Sequence, residues 1–513
     1  MLVTSRAILE IAGEHVFEVP PLALPDVSDT TPARSDGRSD AVQLFMERMH
    51  ERGLRPELDA ASSKQLAEIC IQLDGLPLAI ELAVPWLRVI SPGELLARLS
   101  HRLPLLDSGP RDAPDRQRTM RATIAWSHAL LSPEDQALVR RCAVFIGGFP
   151  IDAVKTVTGI DTTDQELMAQ LGHLVDHSLI RKMPAPPGHP EWTPPRLTFM
   201  ETIREYAWEQ LVRAGEDVET RNRHAAWCQS IAEDAVRARI GLDSERSSFT
   251  DRLAAERHNA RAACEWHEAQ GDIAAAMTLA STLWPLWLEH GEVGEGSAHL
   301  KRLLRHPEGT ANARLAARAK VVLGQLEQAL GEMTEAERVT REALPVLEAL
   351  RDDRSLGVAF TTLGLVELVH GDYLEAVGLL ERSLASFRAA GDIRAGSWSL
   401  RHLSSVAHGQ GDIDGYERLA RLGLDIVGET GHPLDLARLG SNLAQAAVIR
   451  GKLADATSQF DVVLARYRQA NDRWGEADAL QRLGVIAYLN DLPTRAEDLF
   501  AQSERLLRKV GDP

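Results

Sequence analysis

A spacing of 40 residues runs through the second half of the chain and restricts its folds more than any other feature. Glycines stand at Gly291, Gly331, Gly371, Gly411 and Gly451, and Asp491 holds the next slot. Eight residues before each lies a leucine: Leu283, Leu323, Leu363, Leu403, Leu443 and Leu483. Five residues after them come Gly296, Ala336, Ala376, Tyr416, Ala456 and Ala496. A second series, Gly391, Gly431, Asn471 and Gly511, sits half a period away. Glycine adopts the left-handed conformation that ends a helix without a Cβ penalty, and asparagine tolerates it. Each unit therefore reads as two helices, one closed by each series. The small residue after the first turn lets the second helix approach closely, against the leucine of the first. One unit cannot bury its apolar face alone, so the stack is the folding unit.

The order Leu-Gly (Leu323-Gly324, Leu363-Gly364, Leu483-Gly484), then Gly-Asp, then Ala resembles tetratricopeptide repeats over residues 275–513. Their usual period is about 34 residues, so longer helices are expected here. Residues 236–275 read as helices leading in, with Gly271-Asp272 an early turn. In tetratricopeptide arrays the first helices line the inner face. That register puts Gln325, Leu365, Trp398, Arg401, His408, Arg438, Gln445 and Tyr488 in a partner-binding groove. Trp398 and Arg401 are neighbours on one helix, and Arg438 follows Trp398 by one period. Two guanidinium groups beside an indole suit an acidic peptide or a carboxylate-bearing effector. The competing reading makes Trp398 core and pairs the arginines with nearby acids. Trp284 and Trp287, beside Leu283 and Leu288, read as core packing.

The first half reads differently. His15–Val19 resembles a short strand stopped by Pro20-Pro21, and Met1–Val3 the end of another. Two such scraps cannot bury a sheet face. Residues 27–40 are polar and bear Pro and Gly, so they read as a linker. Residues 40–110 are helical by period, with a break at Gly75-Leu76-Pro77 and a helix start capped by Ser91. Residues 117–212 read as three helices and a β-wing: a helix opened by Ser132, a third helix over Asp164–Asp176, strands Leu179–Met183 and Arg196–Met200 around a Pro-rich tip, then a helix Glu201–Leu211. The expected domains are 1–40, a remnant and linker; 41–115, a helical lid; 116–215, a winged helix; 216–274, connecting helices; and 275–513, the array. The fold class is mainly α.

The formal net charge of −17 argues against a broad phosphate-binding surface. The third winged-helix element, DQELMAQLGHLVDHS, carries three acids and no Lys or Arg, so direct DNA binding is not expected of it. His173 and His177 share a helix face, but no Glu follows in HExxH form, and surface histidines are the simpler reading. No apolar run reaches the length of a membrane span. Cys70, Cys142, Cys228 and Cys264 form no CxxC pair, which fits a cytoplasmic chain with reduced thiols.

Thr4-Ser5-Arg6, GEHVFEVPPLALPD, GLPLAIELA, the stretch from RATIAWSHALLSPEDQAL to FIGGF, LVDHSLI and FMETIREYA occur in this order. Together they resemble the signal-transduction ATPases of the LuxR/AfsR/MalT-like bacterial transcriptional regulators, relatives of the NB-ARC switch proteins. The resemblance covers essentially the whole chain. It implies that Arg6 matches the sensor arginine that reads the terminal phosphate. Gly75 and Pro77 match the motif whose proline packs on adenine. Phe199-Met200-Glu201 stand where relatives carry Met-His-Asp, and Met200 cannot make the histidine's phosphate contact. Pro85 stands where relatives usually have a helix-favouring residue.

The sequence departs from that pattern most in having no GxxxxGK[ST] loop and no Mg²⁺-holding acid after an apolar strand. Arg6, Gly75 and Pro77 are therefore expected to be vestigial nucleotide contacts. No ATP or ADP is expected in this chain, although the family uses them, and no enzymatic activity. The chain reads as an N-terminally truncated regulator whose repeats bind a protein or small effector, with a nucleotide-binding domain supplied in trans as one possible partner. The alternatives are a switch ATPase completed by such a domain and a free-standing repeat adaptor.

Overall fold

The computed structural model describes residues 17, 19–25, 39–54, 60–99, 119–183, 195–239, 252, 254–289, 292–428, 431–470 and 472–510. The chain divides into two compact units, Met1–Trp227 and Cys228–Pro513. The lid and winged-helix segments thus share one unit.

In the first unit, helices begin where short polar side chains can accept an unpaired amide. Helix α1 (Asp40–Glu51) is capped by Ser39 and buries Ala41, Val42, Phe45 and Met49. Helices α2 (Ala60–Gln72) and α3 (Pro77–Ala83) are separated by Asp74 and Gly75, both left-handed at φ 55° and 63°. Pro77 occupies the first turn of α3, where no amide is needed. Pro85 falls in a 3-10 turn, Val84–Arg88, that ends α3 early. Ser91 and Glu94 form a capping box at α4 (Pro92–Arg98).

The winged-helix region has four helices before its wing, one more than the sequence suggested: α5 (Met120–Ala129), α6 (Pro133–Cys142), α7 (Ile151–Thr158) and α8 (Asp164–Asp176). Strands β2 (Ile180–Lys182) and β3 (Arg196–Phe199) pair antiparallel, with Ile180 opposite Phe199. A two-residue strand, β1 (Phe149–Pro150), joins the free side of β3. Its brevity leaves no alternation to read. Phe145 stacks on Phe149 at 4.8 Å and meets Trp227 edge-on at 5.5 Å, which fixes the sheet against α10 (Asp217–Arg239) after α9 (Glu201–Arg213). The Pro-rich tip lies outside the described residues.

Most of the expected strand His15–Val19 and linker 27–40 also lie outside the described residues. Phe17 and Val19 are not in a strand. Leu22 N–H donates to the Gly75 carbonyl at 3.0 Å, and Ala41 N–H donates to the Ala23 carbonyl at 3.2 Å. The segment from Val19 to Pro25 is therefore pinned to the α2–α3 turn rather than completing a sheet.

The second unit keeps the 40-residue register. After α11 (Arg257–Ala269), first helices begin at Ile273, Ala313, Asp353, Ile393, Pro433 and Arg473. These are α12 (Ile273–Glu289), α14 (Ala313–Ala329), α16 (Asp353–His370), α18 (Ile393–Gly409), α20 (Pro433–Ile449) and α22 (Arg473–Leu489). Their partners are α13 (Val293–Arg305), α15 (Met333–Ala349), α17 (Tyr373–Ala389), α19 (Ile413–Val427), α21 (Leu453–Gln469) and α23 (Pro493–Val510). Gly331, Gly371, Gly411, Gly451 and Asp491 are all left-handed, as the spacing required, and so are the early turn Gly271 and, in the second series, Gly391. Arg351, in the skipped slot of the second series, is left-handed too, at φ 50°.

Gly431 departs from the expectation. Helix α19 stops at Val427 and Gly428 takes the left-handed turn at φ 68°. Pro433 excludes the helical conformation at His432, which is extended, and the early stop supplies the slack. Gly291, Asn471 and Gly511 are outside the described residues.

Each first helix is capped from one further series that the spacing also contains: Asp272, Asn312, Asp352, Asp392, His432 and Asp472 accept amides two or three residues on. Ala336, Ala376 and Ala456 are fully buried. Ala376 clusters with Leu380, Leu400, Leu403 and Val406, while Leu363 belongs to the adjoining cluster. The residue that faces α17 from α16 is Gly364, where a Cβ would stand 2.8 Å from Leu380 Cγ and 3.4 Å from the Ala376 carbonyl. The Ala slot thus serves the seam between units as well as the hairpin.

Candidate functional site

The seams between first helices carry a repeated ion pair. Arg318 Nε reaches Asp352 at 2.6 Å, and Arg354 Nε reaches Asp392 at 2.9 Å. Arg394 pairs with Asp435, and Arg438 meets Asp472 at 3.7 Å. Asp352, Asp392 and Asp472 are the N-caps of the following first helix, the first two buried, so each caps its own helix and faces a guanidinium from the preceding unit; Asp435, also buried, stands three positions past the cap His432.

Arg401 interrupts this pattern. Asp435 is already held by Arg394 and by the Trp398 indole N–H, which donates to it at 3.0 Å. Among the described residues Arg401 has no carboxylate within ion-pair distance. One Nη donates to His402 Nε2 at 2.8 Å, and its Nε is buried without a hydrogen-bond partner. Burial, and then the charge of Arg438, push the Arg401 guanidinium down to about 10, so it remains a cation at neutral pH. Burial, followed by Arg401 and Arg438, holds His402 well below the ordinary histidine range. A neutral His402 is what accepting from Arg401 requires. Burial pushes the Tyr467 phenol beside them up to about 12, keeping it uncharged. Asn442 donates to the Arg401 carbonyl at 3.3 Å and ties α20 to α18 here.

The structure thus brings Trp398, Arg401 and Arg438 together at the α18–α20 seam. It gives Trp398 and Arg438 acid partners and leaves Arg401 without one. Gln445 lies further along α20, accepting from Arg482 at 3.4 Å. Tyr488 is 68% exposed on α22. His408 is exposed and packs on the Tyr416 ring at 4.9 Å, at the other end of α18. Gln325 is partly buried on α14 with Oε1 unpartnered, and Leu365 is partly buried on α16; neither adjoins the arginine cluster. The sequence reading missed Asp435, His402, Tyr467 and Asp472. The N-cap series pointed to Asp472; Asp435 is out of register by three positions because His432 holds the cap. Trp287 is partly buried, its ring against Gly296, which accords with packing.

Of the residues matched to nucleotide contacts, Arg6 lies outside the described residues. Gly75 and Pro77 shape the α2–α3 turn, and Asp74 on that turn accepts the Glu201 amide at 2.9 Å. The turn therefore sits at the N-terminus of α9, next to Met200. On α8, His177 Nδ1 contacts the His173 carbonyl at 2.8 Å, and His173 faces Asp135 at 3.9 Å. Asp164 at the start of α8 is paired with Lys155 at 2.8 Å.

Comparison with known proteins bears on the winged-helix region. The profile of the winged helix-turn-helix domain matches residues 131–212. A Mycobacterium tuberculosis protein described as a "Putative HTH-type transcriptional regulator" is 36% identical over 310 residues, 59% of this chain and 32% of that protein. The regulatory protein AfsR of Streptomyces coelicolor is 25% identical over 467 residues, 85% of this chain and 43% of AfsR. The chain thus spans less than half the length of each of these two relatives. Among solved structures, a Signal Transduction ATPase with Numerous Domains protein with a tetratricopeptide repeat sensor, from Pyrococcus horikoshii, aligns with a TM-score of 0.45 at 12% identity, covering 91% of this chain and 66% of that one. The chain is a mainly α protein that joins a winged helix to tetratricopeptide-like repeats, and it is similar to regulators.

Proposed function

We propose that this chain is the sensing and interaction portion of a bacterial transcriptional regulator of the signal-transduction ATPase type, related to the LuxR/AfsR-like and NB-ARC proteins. Its repeats receive a protein or small effector, and the winged helix and lid pass that state to a nucleotide-binding domain. The observation that carries the reading is the seam at Arg401 and Arg438, where cations gather on first helices of an otherwise acidic chain. Such a site steers and orients an acidic partner. Gln325, Trp398, His408, Gln445 and Tyr488 extend the groove on this reading. Arg6, Gly75 and Pro77 are scaffold residues in it, and this chain performs no ATP chemistry. The acids of α8 keep the winged helix off DNA. Among the described residues no helix is long and apolar enough to cross a membrane. Four buried free cysteines suit the reducing cytoplasm.

The test is the double charge reversal Arg401→Glu with Arg438→Glu in the full chain, assayed by pull-down from native cytosol. Recovery of the partner should fall by about tenfold or more, as expected when buried charged contacts are inverted. Unchanged recovery with an intact circular-dichroism spectrum would place the binding face elsewhere.

A further inference from the structure

The start of the array departs from the later repeats at positions where the core is otherwise uniform. Cys264 of α11 stands 40 residues before Leu304, and Leu344, Leu384, Leu424 and Leu464 fill the same slot further on. His299 of α13 occupies the slot of Val339, Leu379, Leu419 and Leu499, with Gln459 the other exception. Both changes remove aliphatic volume from a packed seam, where a void forfeits contacts. A cavity of about 30 Å³ lies at this place, lined by Cys264 and His299 and by Leu283, Leu286 and Trp287 of α12. Gly296, in a slot that is mostly alanine later, leaves room for the Trp287 ring, which a Cβ there would strike.

The polar groups of this cavity are incompletely matched. His299 is 9% exposed. Burial, then the charge of Arg302, push its pKa below the ordinary histidine range, so the ring is neutral at neutral pH. Its Nδ1 accepts from Arg302 at 3.4 Å, which puts the ring proton on Nε2. That Nε2–H has no hydrogen-bond acceptor; Glu268 is 3.8 Å away and takes two bonds from Arg302 at 2.6 and 2.8 Å. Arg257 also lines the cavity, with Nε buried and without a partner, and it makes no ion pair among the described residues. Glu292 lines it too, and its carboxylate is likewise unpaired. Arg261 and Glu295, both exposed at the mouth, are bound to each other at 2.7 Å. A cation and an anion thus face one cavity without meeting, beside an orphaned donor and an apolar wall. Buried polar groups in that state are costly until water or a ligand completes them.

We propose that this cavity binds a small free α-amino acid, with its carboxylate on Arg257 and His299 Nε2–H, its ammonium on Glu292, and its Cα and short side chain against Leu283 and Leu286. This deepens the small-effector form of the sensing reading above and rests on that reading for its biological role. A simple carboxylate leaves Glu292 facing an anion, and a simple amine leaves Arg257 facing a cation, so a zwitterion is the class that satisfies both walls. The volume sets the size. About two waters fill 30 Å³, so the charged head group takes the cavity and the rest of the ligand lies in the mouth beside Arg261 and Glu295. Alanine, serine and glycine meet that limit.

The experiment is thermal melting of the full chain at pH 7 and constant ionic strength in rising L-alanine, with N-acetyl-L-alanine, L-alaninamide and L-leucine as parallel series. A ligand that binds the folded state raises the melting temperature by mass action. L-Alanine should give a saturable rise of about 2 °C. The acetyl and amide derivatives, each lacking one charge, should give little, and L-leucine less than L-alanine. Cys264→Leu restores the residue of the later repeats and fills the cavity, so it should melt no lower than wild type and lose the alanine response. Glu292→Gln should lose the discrimination against N-acetyl-L-alanine.

Melting unmoved by alanine, serine and glycine alike would overturn the site and leave water as the group that completes His299 and Arg257. Equal rises with L-alanine and N-acetyl-L-alanine in the wild type would rule out a zwitterion. An undiminished alanine response in Cys264→Leu would put the binding outside this cavity. If Cys264→Leu does not fold, Glu292→Gln decides, and unchanged discrimination there sinks the assignment. The pull-down with Arg401 and Arg438 reversed reads a different surface, so either test can fail without the other.

Discussion

Glu216 shows how far a single side chain can tie elements together. It precedes α10, and its carboxylate accepts from Arg140 at 2.8 Å and from Arg141 at 2.9 Å, both on α6. The Arg140 hydrogen bond, then that of Arg141, hold its pKa down to about 2 against the opposing effect of burial. A depressed carboxylate stabilises the fold above its unfolded pKa and loses that contribution as pH falls through the folded value. The stabilisation is therefore complete above about 4.5 and fades between about 4.5 and about 2. Glu216→Gln should lower the melting temperature at pH 7, and the gap from wild type should close as the pH is taken down to about 2. A gap that stays constant across that range would mean the carboxylate's charge is irrelevant. Arg401 is the contrasting residue: similar guanidinium chemistry, but a neighbouring acid already spent on Arg394 and Trp398.

At the scale of elements, the hairpins depend on small residues where helices cross. Ala376 is fully buried and packs among Leu380, Leu400 and Leu403, so it joins α17 to α18 as well as to its own partner. Ala376→Arg buries a charge and overpacks both contacts, and should cost about 3 kcal/mol or more. Repeats support one another through their interfaces, so faster amide exchange should spread from α17 into α18 and α16. An unchanged melting temperature would refute the register. Gly364 and Gly484 serve the same purpose from the other side; a Cβ at Gly484 would lie 2.7 Å from the Phe500 ring. These glycines are small because a partner helix lies against them, not because their backbone is left-handed.

At the scale of the whole molecule, no ATP chemistry is expected of this chain. The family uses a phosphate loop whose amides and lysine cradle the nucleotide, and no GxxxxGK[ST] occurs in these 513 residues. Calorimetric titration of the full chain with ATP and Mg²⁺ should therefore give no micromolar binding isotherm. A fitted micromolar dissociation constant would show that the Gly75–Pro77 turn and its surroundings hold nucleotide without the loop. The division into two units also bears on the sequence reading. Asp74 of the lid caps α9 of the winged-helix region, a link that joins residues 127 positions apart.

Spacing along the chain was enough to place the repeat, its phase and most helix ends of the array among the described residues, because helix stops, caps and core positions are local requirements that recur every 40 residues. It also marked Trp398, Arg401 and Arg438 by residue type and spacing. Which of those cations is compensated emerges only from the packed helices. That depended on Asp435 lying three positions out of the cap register, on the hydrogen bond it accepts from Trp398, and on the side chains of α21 that close the seam. The short strand β1 and the pinning of Leu22 to Gly75 likewise have no local signature. Charge balance and strand pairing are sums over neighbours distant in sequence, and periodicity along one chain cannot report them.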